Sequence, residues 1–262
     1  LIVDHYALDY KWEKKIRPFI KKLMVIDDLA NRKHECDFFL DQVYQSTLHS
    51  YIDLLPKNCK CLFGSKYIML NSVFSNFHKK VSLLDKFTNK THLFFGTNDR
   101  EGNTIRYSKL ILENFPHIIL KIAINGEFTF YSELEKLKSV YKKRISWVSN
   151  ISNMASNMFG CSYAVGSPGM STWERSCMGL PTLHLTNTSL QIKVLENLKN
   201  SGICDYIGHV DIISDEQFIT SLDAFLKNKT KLLKMKKIGL NEVDGHGVYR
   251  VADFILKEIN AR

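Results

Sequence analysis

The sequence predicts an α/β protein with two doubly wound, Rossmann-type domains, of which the first is incomplete. Short continuous apolar runs alternate with segments of helical period along the 262 residues. Strands of a parallel sheet have this pattern because helices cover both faces of the sheet. Small-residue loops follow several of the runs, where open α/β sheets bind ligands. We expect the first domain to cover residues 1–86 and the second residues 87–262, with the last helix a candidate for packing back on the first domain.

The first domain contains three short apolar runs and one segment of helical period. They predict strands at residues 1–3, 22–26 and 37–40 and a helix at residues 12–19. Residues 42–61 show no clean period and are expected to be irregular, whereas residues 67–70 are either a further strand or a buried stretch at the domain's edge. The chain starts at Leu1 rather than Met, so we expect a fragment or processed product whose first strand lacks its preceding partners.

The second domain alternates strands and helices at the spacing of right-handed βαβ units. Strands are predicted at residues 92–95, 118–124, 145–148, 162–165 and 182–185, and helices at residues 104–114, 130–141, 151–158, from 170 onward and at 190–199. The part from Asp215 onward is predicted to be helical. This order indicates a doubly wound sheet.

Composition and charge favour a cytoplasmic protein that binds neither nucleic acid nor membrane. The net charge of +9 comes from lysines spread over amphipathic helical segments, as in solvated helix faces, and no nucleic-acid-binding motif accompanies them. No apolar run approaches the ~20 residues of a membrane span. The six cysteines show neither a C-x-x-C pair nor zinc-type spacing with histidine, which predicts reduced thiols and no metal site. No cofactor is indicated.

The loop at residues 166–174 carries the strongest functional signal. It follows one apolar run, is rich in Gly and Ser, opens a helix, and is followed by a second apolar run. A strand, a small-residue turn and a helix start direct backbone N–H groups and a positive dipole end at one spot, which suits a phosphate. Glu174 lies one turn into that helix, where a carboxylate can accept two hydrogen bonds from a ribose diol. Although many such turns only reverse the chain, the combination favours a nucleotide-sugar site.

Four loops follow predicted strands and are candidates for ligand contact. They comprise residues 4–6, 96–99, 149–151 and 166–174. An ordinary turn is the preferred interpretation for Asp99, and a helix N-cap is the preferred interpretation for Ser152. His5 and Tyr6 leave their strand in different directions, so only one of them faces a cleft easily, and local packing of His5 is as well supported as a catalytic role.

Two further clusters are given ordinary interpretations. Asp27 and Asp28 are expected to be a solvated pair or helix cap rather than a carboxylate dyad, and residues 244–247 a loop that starts the last helix. The spacing of residues along the sequence predicts neither a Ser-His-Asp triad nor a cluster of metal ligands. This indicates metal-free chemistry without a covalent intermediate.

An ordered series of motifs resembles one enzyme family over nearly the whole chain. The motifs are Val-Asp-His-Tyr at 3–6, Ile-Asp-Asp-Leu-Ala-Asn-Arg at 26–32, Cys-Asp-Phe-Phe-Leu-Asp-Gln at 36–42, Gly-Ser-Lys-Tyr-Ile-Met-Leu-Asn-Ser-Val-Phe at 64–74, Phe-Gly-Thr-Asn-Asp at 95–99 and Asp-Gly-His-Gly at 244–247. The series resembles the UDP-2,4-diacetamido-2,4,6-trideoxy-β-L-altropyranose hydrolases of pseudaminic acid biosynthesis. Residues 151–155 and 166–181 are also similar to the peptidoglycan N-acetylglucosaminyltransferase.

The resemblance implies a GT-B architecture, with the sugar in a cleft between the domains and UDP held by the second. It places uracil near Ile151, the diphosphate on Gly169, Met170, Ser171 and Thr172, and the ribose on Glu174, and the substrate side of the cleft includes Gly96, Thr97 and Asn98. The family's water attacks the anomeric carbon and UDP leaves.

For the catalytic side, the resemblance implies Tyr6 and Gln191 in the sugar pocket. His5, which leaves the strand beside Tyr6, is our local candidate to replace the family's base. The family's general base lies on a glycine-rich loop that would precede Leu1, and its Asn-Gln pair is replaced by Leu190 and Gln191. A glycosyltransferase of the same fold and a non-catalytic nucleotide-sugar-binding remnant are the alternatives to a hydrolase.

Overall fold

The computed structural model describes residues 1–81, 87–124, 127–149 and 154–260. The chain divides into two compact units. Unit 1 consists of Leu1–Ser72 together with Val243–Arg262, and unit 2 consists of Val73–Glu242. Each unit is an α/β structure with its own parallel sheet, which confirms the predicted fold class.

The described residues form ten strands and ten α-helices. The strands are β1 (Ile2–Asp4), β2 (Met24–Ile26), β3 (Phe38–Asp41), β4 (Lys60–Phe63), β5 (Lys90–Phe94), β6 (Ile119–Ala123), β7 (Ile145–Val148), β8 (Tyr163–Gly166), β9 (Thr182–Thr186) and β10 (Asp205–His209). The helices are α1 (Tyr10–Ile16), α2 (Val73–Val81), α3 (Asn103–Asn114), α4 (Tyr131–Tyr141), α5 (Met154–Met158), α6 (Met170–Cys177), α7 (Ile192–Asn200), α8 (Asp215–Lys227), α9 (Lys229–Glu242) and α10 (Gly247–Asn260).

Unit 1 has a four-stranded sheet in the order β1-β2-β3-β4, with every pair parallel. Alternate residues of each strand face opposite sides, so the apolar run of β3 supplies both faces. Phe39 lies on one face with Val25 and packs near Trp12 of α1 and Tyr51. The continuous apolar pattern of this strand therefore reflects burial on both sides.

The other face of this sheet is covered by α10, which comes from the far end of the sequence. Val251 and Phe254 pack against Phe38 and Leu40. The helix starts at Gly247, where a Cβ would lie 2.1 Å from the carbonyl oxygen of Ile68. Only a residue without a side chain allows this close approach of the helix start to the chain.

Unit 2 has a six-stranded parallel sheet in the order β10-β9-β8-β5-β6-β7. Counted from its own first strand, this is the 3-2-1-4-5-6 order of doubly wound dinucleotide-binding folds. A row of fully buried side chains crosses the sheet at Ile122, Leu93, Val165 and Leu183, which are register partners on adjacent strands. The strand order reverses between β5 and β8, so the loops after these strands flank the crevice where such sheets bind ligands.

The structure decides between the two alternatives for residues 67–70 and adds a strand that was not predicted. The buried stretch is confirmed and the strand is wrong: Ser65–Tyr67 form a 3-10 turn, and Ile68 and Leu70 are buried without joining the sheet. The fourth strand is Lys60–Phe63, at the end of the stretch expected to be irregular. It was missed because Lys60 and the two flanking cysteines interrupt the apolar pattern.

The division between the units also differs from the expected one. The expected boundary lay after residue 86, whereas the structure divides the chain after Ser72 and assigns residues 243–262 to unit 1. The physical reason is that α2 packs against α5 and α6 of unit 2. Phe77 of α2 contacts Phe159, with ring centroids 5.2 Å apart. Among the described residues, no helix is long and apolar enough to cross a membrane.

Candidate functional site

The loops that follow β5 and β8 meet at the reversal point of the sheet in unit 2. A Cβ at Gly96 would lie 3.4 Å from the Oγ of Ser167, so the two loops are in contact. Gly166 has φ +147°, and a Cβ there would lie 1.9 Å from the carbonyl oxygen of Phe94. This position therefore requires glycine, both for its backbone angle and for the close approach of β5. The two sequence-predicted loops, 96–99 and 166–174, are brought together here.

The helix α6 opens directly from this crevice. Its N-cap residue Gly169 has φ +121° and provides no side-chain cap. In the part of the chain that the structure describes, the backbone N–H groups of Met170 and Ser171 have no partner. Unsatisfied N–H groups at a helix start carry partial positive charge and favour an anion.

The hydroxyl groups of the same turn are committed to the fold. Ser171 is buried, and its Oγ donates to the carbonyl oxygen of Ser167 over 3.4 Å. Thr172 is buried as well, and its Oγ1 lies 3.3 Å from Nε2 of His184. Of the residues predicted to hold a diphosphate, Gly169 and Met170 are exposed. The geometry therefore offers main-chain donors rather than hydroxyls to an anion.

Glu174 lies one turn into α6 and is half-buried. Its carboxylate makes no hydrogen bond to any described residue. Burial raises the pKa of this carboxyl group, and the neighbouring Arg175 partly opposes the shift. A partly desolvated carboxylate without a protein partner is suited to accept hydrogen bonds from a ligand diol.

Arg175 is fully buried beneath the loops and was missed by the sequence-based prediction. Its Nη1 donates to the carbonyl oxygen of Ser167 over 3.1 Å, and its Nη2 donates to that of Phe94 over 2.9 Å. One guanidinium thus ties the end of β5 to the loop after β8. Burial lowers the pKa of Arg175 to about 10, so the group remains a cation at neutral pH.

His184 supports the same loop from β9. Its Nδ1 lies 3.0 Å from the carbonyl oxygen of Gly166, which requires the N–H on Nδ1 and leaves Nε2 to accept from Thr172. Complete burial, with Arg175 nearby, lowers the pKa of His184 to about 3. This histidine is therefore a neutral structural group of the loop. No pattern in the sequence distinguished it from an ordinary strand residue.

The remaining predicted residues of unit 2 have different surroundings. Thr97 and Asn98 are exposed, and Asp99 accepts hydrogen bonds from the backbone N–H groups of Asn103 and Thr104. Asp99 was interpreted as a turn residue, which agrees with the acceptance by its carbonyl oxygen of a hydrogen bond from the N–H of Gly102, the N-cap residue of α3. Ile151 lies outside the described residues, as do Asn150 and Ser152.

Gln191 lies after β9, at the same edge of the sheet. Its Oε1 accepts a hydrogen bond of 2.8 Å from Thr186 Oγ1. The adjacent Leu190 is 88% exposed, so it presents an apolar side chain where an amide was expected from the resemblance. The side-chain N–H donors of Gln191 have no hydrogen-bond partner among the described residues, which leaves them open to a ligand oxygen.

In unit 1, His5 and Tyr6 follow β1 and are exposed. Nδ1 of His5 accepts from the backbone N–H of Ala7 over 3.1 Å, so the proton of the neutral ring lies on Nε2. Tyr6 donates to Asp28 over 2.9 Å. Partial burial, together with this hydrogen bond, raises the pKa of Tyr6 to about 12. Tyr6 is therefore a hydrogen-bond donor at neutral pH and not a base.

The expectation of a solvated Asp27-Asp28 pair is wrong for Asp27. Asp27 is buried and forms an ion pair with Arg32 at 2.7 Å. His34 is also buried: its Nε2 lies 3.7 Å from Asp27, and its Nδ1 lies 2.7 Å from the fully buried Glu13. These four residues, Glu13, Asp27, Arg32 and His34, form a buried ionic cluster. Pairing with Arg32 and His34, which no helix or strand period predicts, stabilises the burial of Asp27.

Metal ligation was not predicted from the sequence. Over the ranges that the structure describes, no group of three or more His, Cys, Asp or Glu side chains is arranged to hold a metal ion.

Comparison with known proteins identifies distant relatives. No protein-family model matches the sequence. An uncharacterized protein of Methanocaldococcus jannaschii is 26% identical over 198 residues, which cover 73% of this chain and 41% of the relative. The spore coat polysaccharide biosynthesis protein SpsG of Bacillus subtilis is 23% identical over 128 residues, covering 49% and 38% respectively. The matched part thus spans about two fifths of the length of each of these relatives.

Solved structures share the fold over nearly the whole chain. MurG of Acinetobacter baumannii has a TM-score of 0.59 and 12% identity, covering 95% of this chain and 70% of that structure. The UDP-GlcNAc 2-epimerase of Neisseria meningitidis, solved with UDP-GlcNAc bound, has a TM-score of 0.64 and 13% identity, covering 98% and 76%. The chain therefore has the two Rossmann-like parallel-sheet units of the GT-B fold.

Proposed function

We propose that this chain binds a UDP-linked sugar at the carboxyl edge of the sheet in unit 2. The observation that carries the proposal is the uncapped start of α6 beside the carboxylate of Glu174, which accepts no hydrogen bond from a described residue, at the reversal point of the sheet. The N–H groups of Met170 and Ser171 would hold the diphosphate, and Glu174 would accept from the ribose hydroxyls. Ile151 is proposed to contact uracil, and Gly96, Thr97 and Asn98 the substrate.

The comparisons support the class of ligand. One solved structure of the same fold is an epimerase with UDP-GlcNAc bound, and one sequence relative serves spore coat polysaccharide biosynthesis. The first protein binds a nucleotide sugar, and the second takes part in making a polysaccharide. These two similarities support an enzyme of surface-glycan synthesis, but they do not distinguish hydrolysis from transfer or isomerisation.

The reaction that we favour is hydrolysis of a UDP-linked deoxy-diacetamido sugar, as the ordered motifs suggest. Water would attack the anomeric carbon, the bond from that carbon to the β-phosphate oxygen would break, and UDP would leave on the start of α6. One proton of the water must pass to a base. Tyr6 keeps its own proton at neutral pH and donates it in a hydrogen bond to Asp28, so it would orient the sugar by accepting a hydrogen bond from a sugar hydroxyl group. Gln191 would offer its N–H groups to the sugar.

Glycosyl transfer is the competing reaction, because the same UDP site serves it with a hydroxyl acceptor in place of water. His5 does not decide between the two reactions: its Nδ1 is engaged by Ala7, and either nucleophile, water or an acceptor hydroxyl, must lose a proton to a base. The two reactions differ in the requirement for an acceptor, which gives the test.

The protein is incubated with a panel of UDP-sugars, with and without acceptor hydroxyl compounds, and the products are separated and quantified. Hydrolysis predicts equal amounts of UDP and free sugar without an acceptor. Transfer predicts UDP only when an acceptor is present. If calorimetry detects no binding of UDP, the whole proposal is contradicted. If the incubation yields a new UDP-sugar and no free UDP, the enzyme is an isomerase and neither hydrolysis nor transfer is its reaction.

A further inference from the structure

Arg175 carries a buried charge for which the structure provides no carboxylate partner. Its side chain is completely inaccessible, and no described acidic group forms an ion pair with it. The two hydrogen bonds of its guanidinium go to main-chain carbonyl oxygens, and its Nε has no partner in the described part of the chain. Buried charges are normally paired, since an unpaired one costs several kcal/mol.

The groups around Arg175 do not supply the missing charge. His92 and His184 face it from β5 and β9, and burial and the positive charge of Arg175 keep the pKa of each ring below its ordinary value. Lys121 adds further positive charge near His92. Of the described carboxylates, only Glu174 acts on Arg175, but adjacent helix residues point in different directions, and no hydrogen bond joins the two. The Cys204 thiol is also near Arg175, and burial raises its pKa to about 12, so it is neutral. Within the described residues, Arg175 therefore has no hydrogen-bonded anion.

Arg175 lies next to the loop that leads into α6, where the diphosphate is proposed to bind. Its Nη1 holds the carbonyl oxygen of Ser167, two residues before the uncapped helix start at Gly169. The guanidinium thus lies behind the loop whose main-chain N–H groups face the proposed diphosphate. A charge in a poorly solvated interior acts over longer distances than one in water.

We infer that Arg175 is the buried counter-charge of the bound diphosphate and positions its loop without contacting the ligand. This inference rests on the proposed UDP site. It assigns two roles to one side chain: the bonds to Ser167 and Phe94 fix the loop, and the charge favours an anion over a neutral ligand. Only the second role depends on the charge of the side chain.

Two substitutions separate these roles. Arg175→Lys and Arg175→Gln both lose the simultaneous bonds to Ser167 and Phe94, but lysine keeps the charge. We would measure the affinities of uridine, UMP and UDP for each variant by calorimetry at pH 6.5, where a buried lysine keeps its proton more readily. Arg144→Gln is the matched control, because Arg144 also bonds to main-chain carbonyl oxygens, those of Leu112, Phe115 and Ile118.

The expected result concerns the ratio of UDP affinity to uridine affinity. Arg175→Gln should lower this ratio by about tenfold or more, whereas Arg175→Lys should keep it within about threefold of the unmodified protein. The salt dependence of UDP binding should weaken in the glutamine variant only. Arg144→Gln should leave the ratio unchanged.

Equal losses of the ratio in Lys and Gln, or no loss in either, would overturn the inference, because the charge would then not matter. A parallel fall of uridine and UDP affinity would assign Arg175 a structural role alone. Where a variant is too unstable for calorimetry, the shift of its melting temperature by UDP and by uridine gives the same comparison. If the unmodified protein fails to bind UDP, the proposed function fails instead.

Discussion

At the scale of single residues, Glu174 destabilises the folded protein at neutral pH but is suited to bind the hydroxyl groups of a ligand. Its pKa is raised by burial, so the folded chain binds the proton of this carboxyl group more tightly than the unfolded chain. Its contribution to the free energy of unfolding therefore falls as pH rises from the unfolded pKa through the raised one. At neutral pH the buried negative charge destabilises the unliganded protein.

This gives a paired prediction for Glu174→Gln. The variant should melt at a higher temperature than the unmodified protein at pH 7.5, and the difference should shrink toward pH 4. Its affinity for uridine nucleotides should fall by the ~1.5–3 kcal/mol typical of hydrogen bonds to a charged group. Thermal melts and calorimetry measure the two effects. An unchanged affinity in the folded variant would reduce Glu174 to a helix surface residue.

The buried ionic cluster of unit 1 predicts a second pH dependence. Burial acts to lower the pKa of His34, but Asp27 and Glu13 outweigh it and raise this pKa. The stabilisation from the charged ring is complete below the ordinary histidine pKa of about 6.5 and is lost as pH rises through the raised value.

His34→Gln should therefore lower the free energy of unfolding by about 3–5 kcal/mol at pH 6, because it leaves buried carboxylates unpaired. The loss should become smaller as pH rises past the raised pKa. Urea unfolding at a series of pH values measures it, and His49→Gln, at an exposed histidine of the same unit, is the control. A loss that does not vary with pH would show that His34 is neutral in the fold.

The sequence predicted the residues of the site unequally. Glu174 was predicted because its spacing from the glycine turn is local information, carried by one helix. Arg175 was missed because an arginine within a helix is normally solvated, and only the meeting of β5 with β8 buries this one. The same holds for the buried ionic cluster of Asp27, because Glu13, which pairs with His34, lies on another segment. Interactions between distant segments cannot be predicted from the spacing of residues along the sequence.

At the scale of elements, the close contact between β5 and β8 predicts that Gly166 cannot be replaced by a residue with a side chain without loss of stability. Gly166→Ala would place a Cβ 1.9 Å from the carbonyl oxygen of Phe94. Gly160→Ala is the matched control, because Gly160 also has positive φ but has no neighbouring atom within 4 Å. The control should cost about 1–2 kcal/mol for backbone strain alone, and Gly166→Ala should cost several kcal/mol more. Chemical denaturation of both variants gives the comparison, and equal costs would show that β5 moves away freely.

Most elements were predictable because their burial follows a simple period. The strands at Ile145–Val148 and Thr182–Thr186 are short apolar runs and were found within one residue. Strand β10, Asp205–His209, was missed because only Tyr206 and Ile207 in it are large and apolar. It joins the sheet at an edge, beside β9, where fewer side chains need to be buried.

At the scale of the whole molecule, unit 1 depends on a helix that lies far away in the sequence. Removal of residues 243–262 should expose the face of the sheet that contains Phe38 and Leu40. We expect the amides of β2 and β3 to exchange with solvent much faster in the shortened chain, and those of β5 and β8 to keep their protection. Hydrogen exchange followed by mass spectrometry measures both units in one sample. Equal protection of β2 and β3 in the two chains would contradict the role assigned to α10.

The distance of α10 along the chain also has a consequence for biosynthesis. A ribosome adds about 5–20 residues per second, so the 170 residues of Val73–Glu242 occupy it for roughly 10–30 s after Ser72 has been made. During that interval the four strands of unit 1 exist without the helix that covers Phe38 and Leu40. A nascent chain of this protein therefore exposes an apolar sheet face until α10 has been made, and the time for which it needs chaperones during translation should be set by the length of the inserted unit.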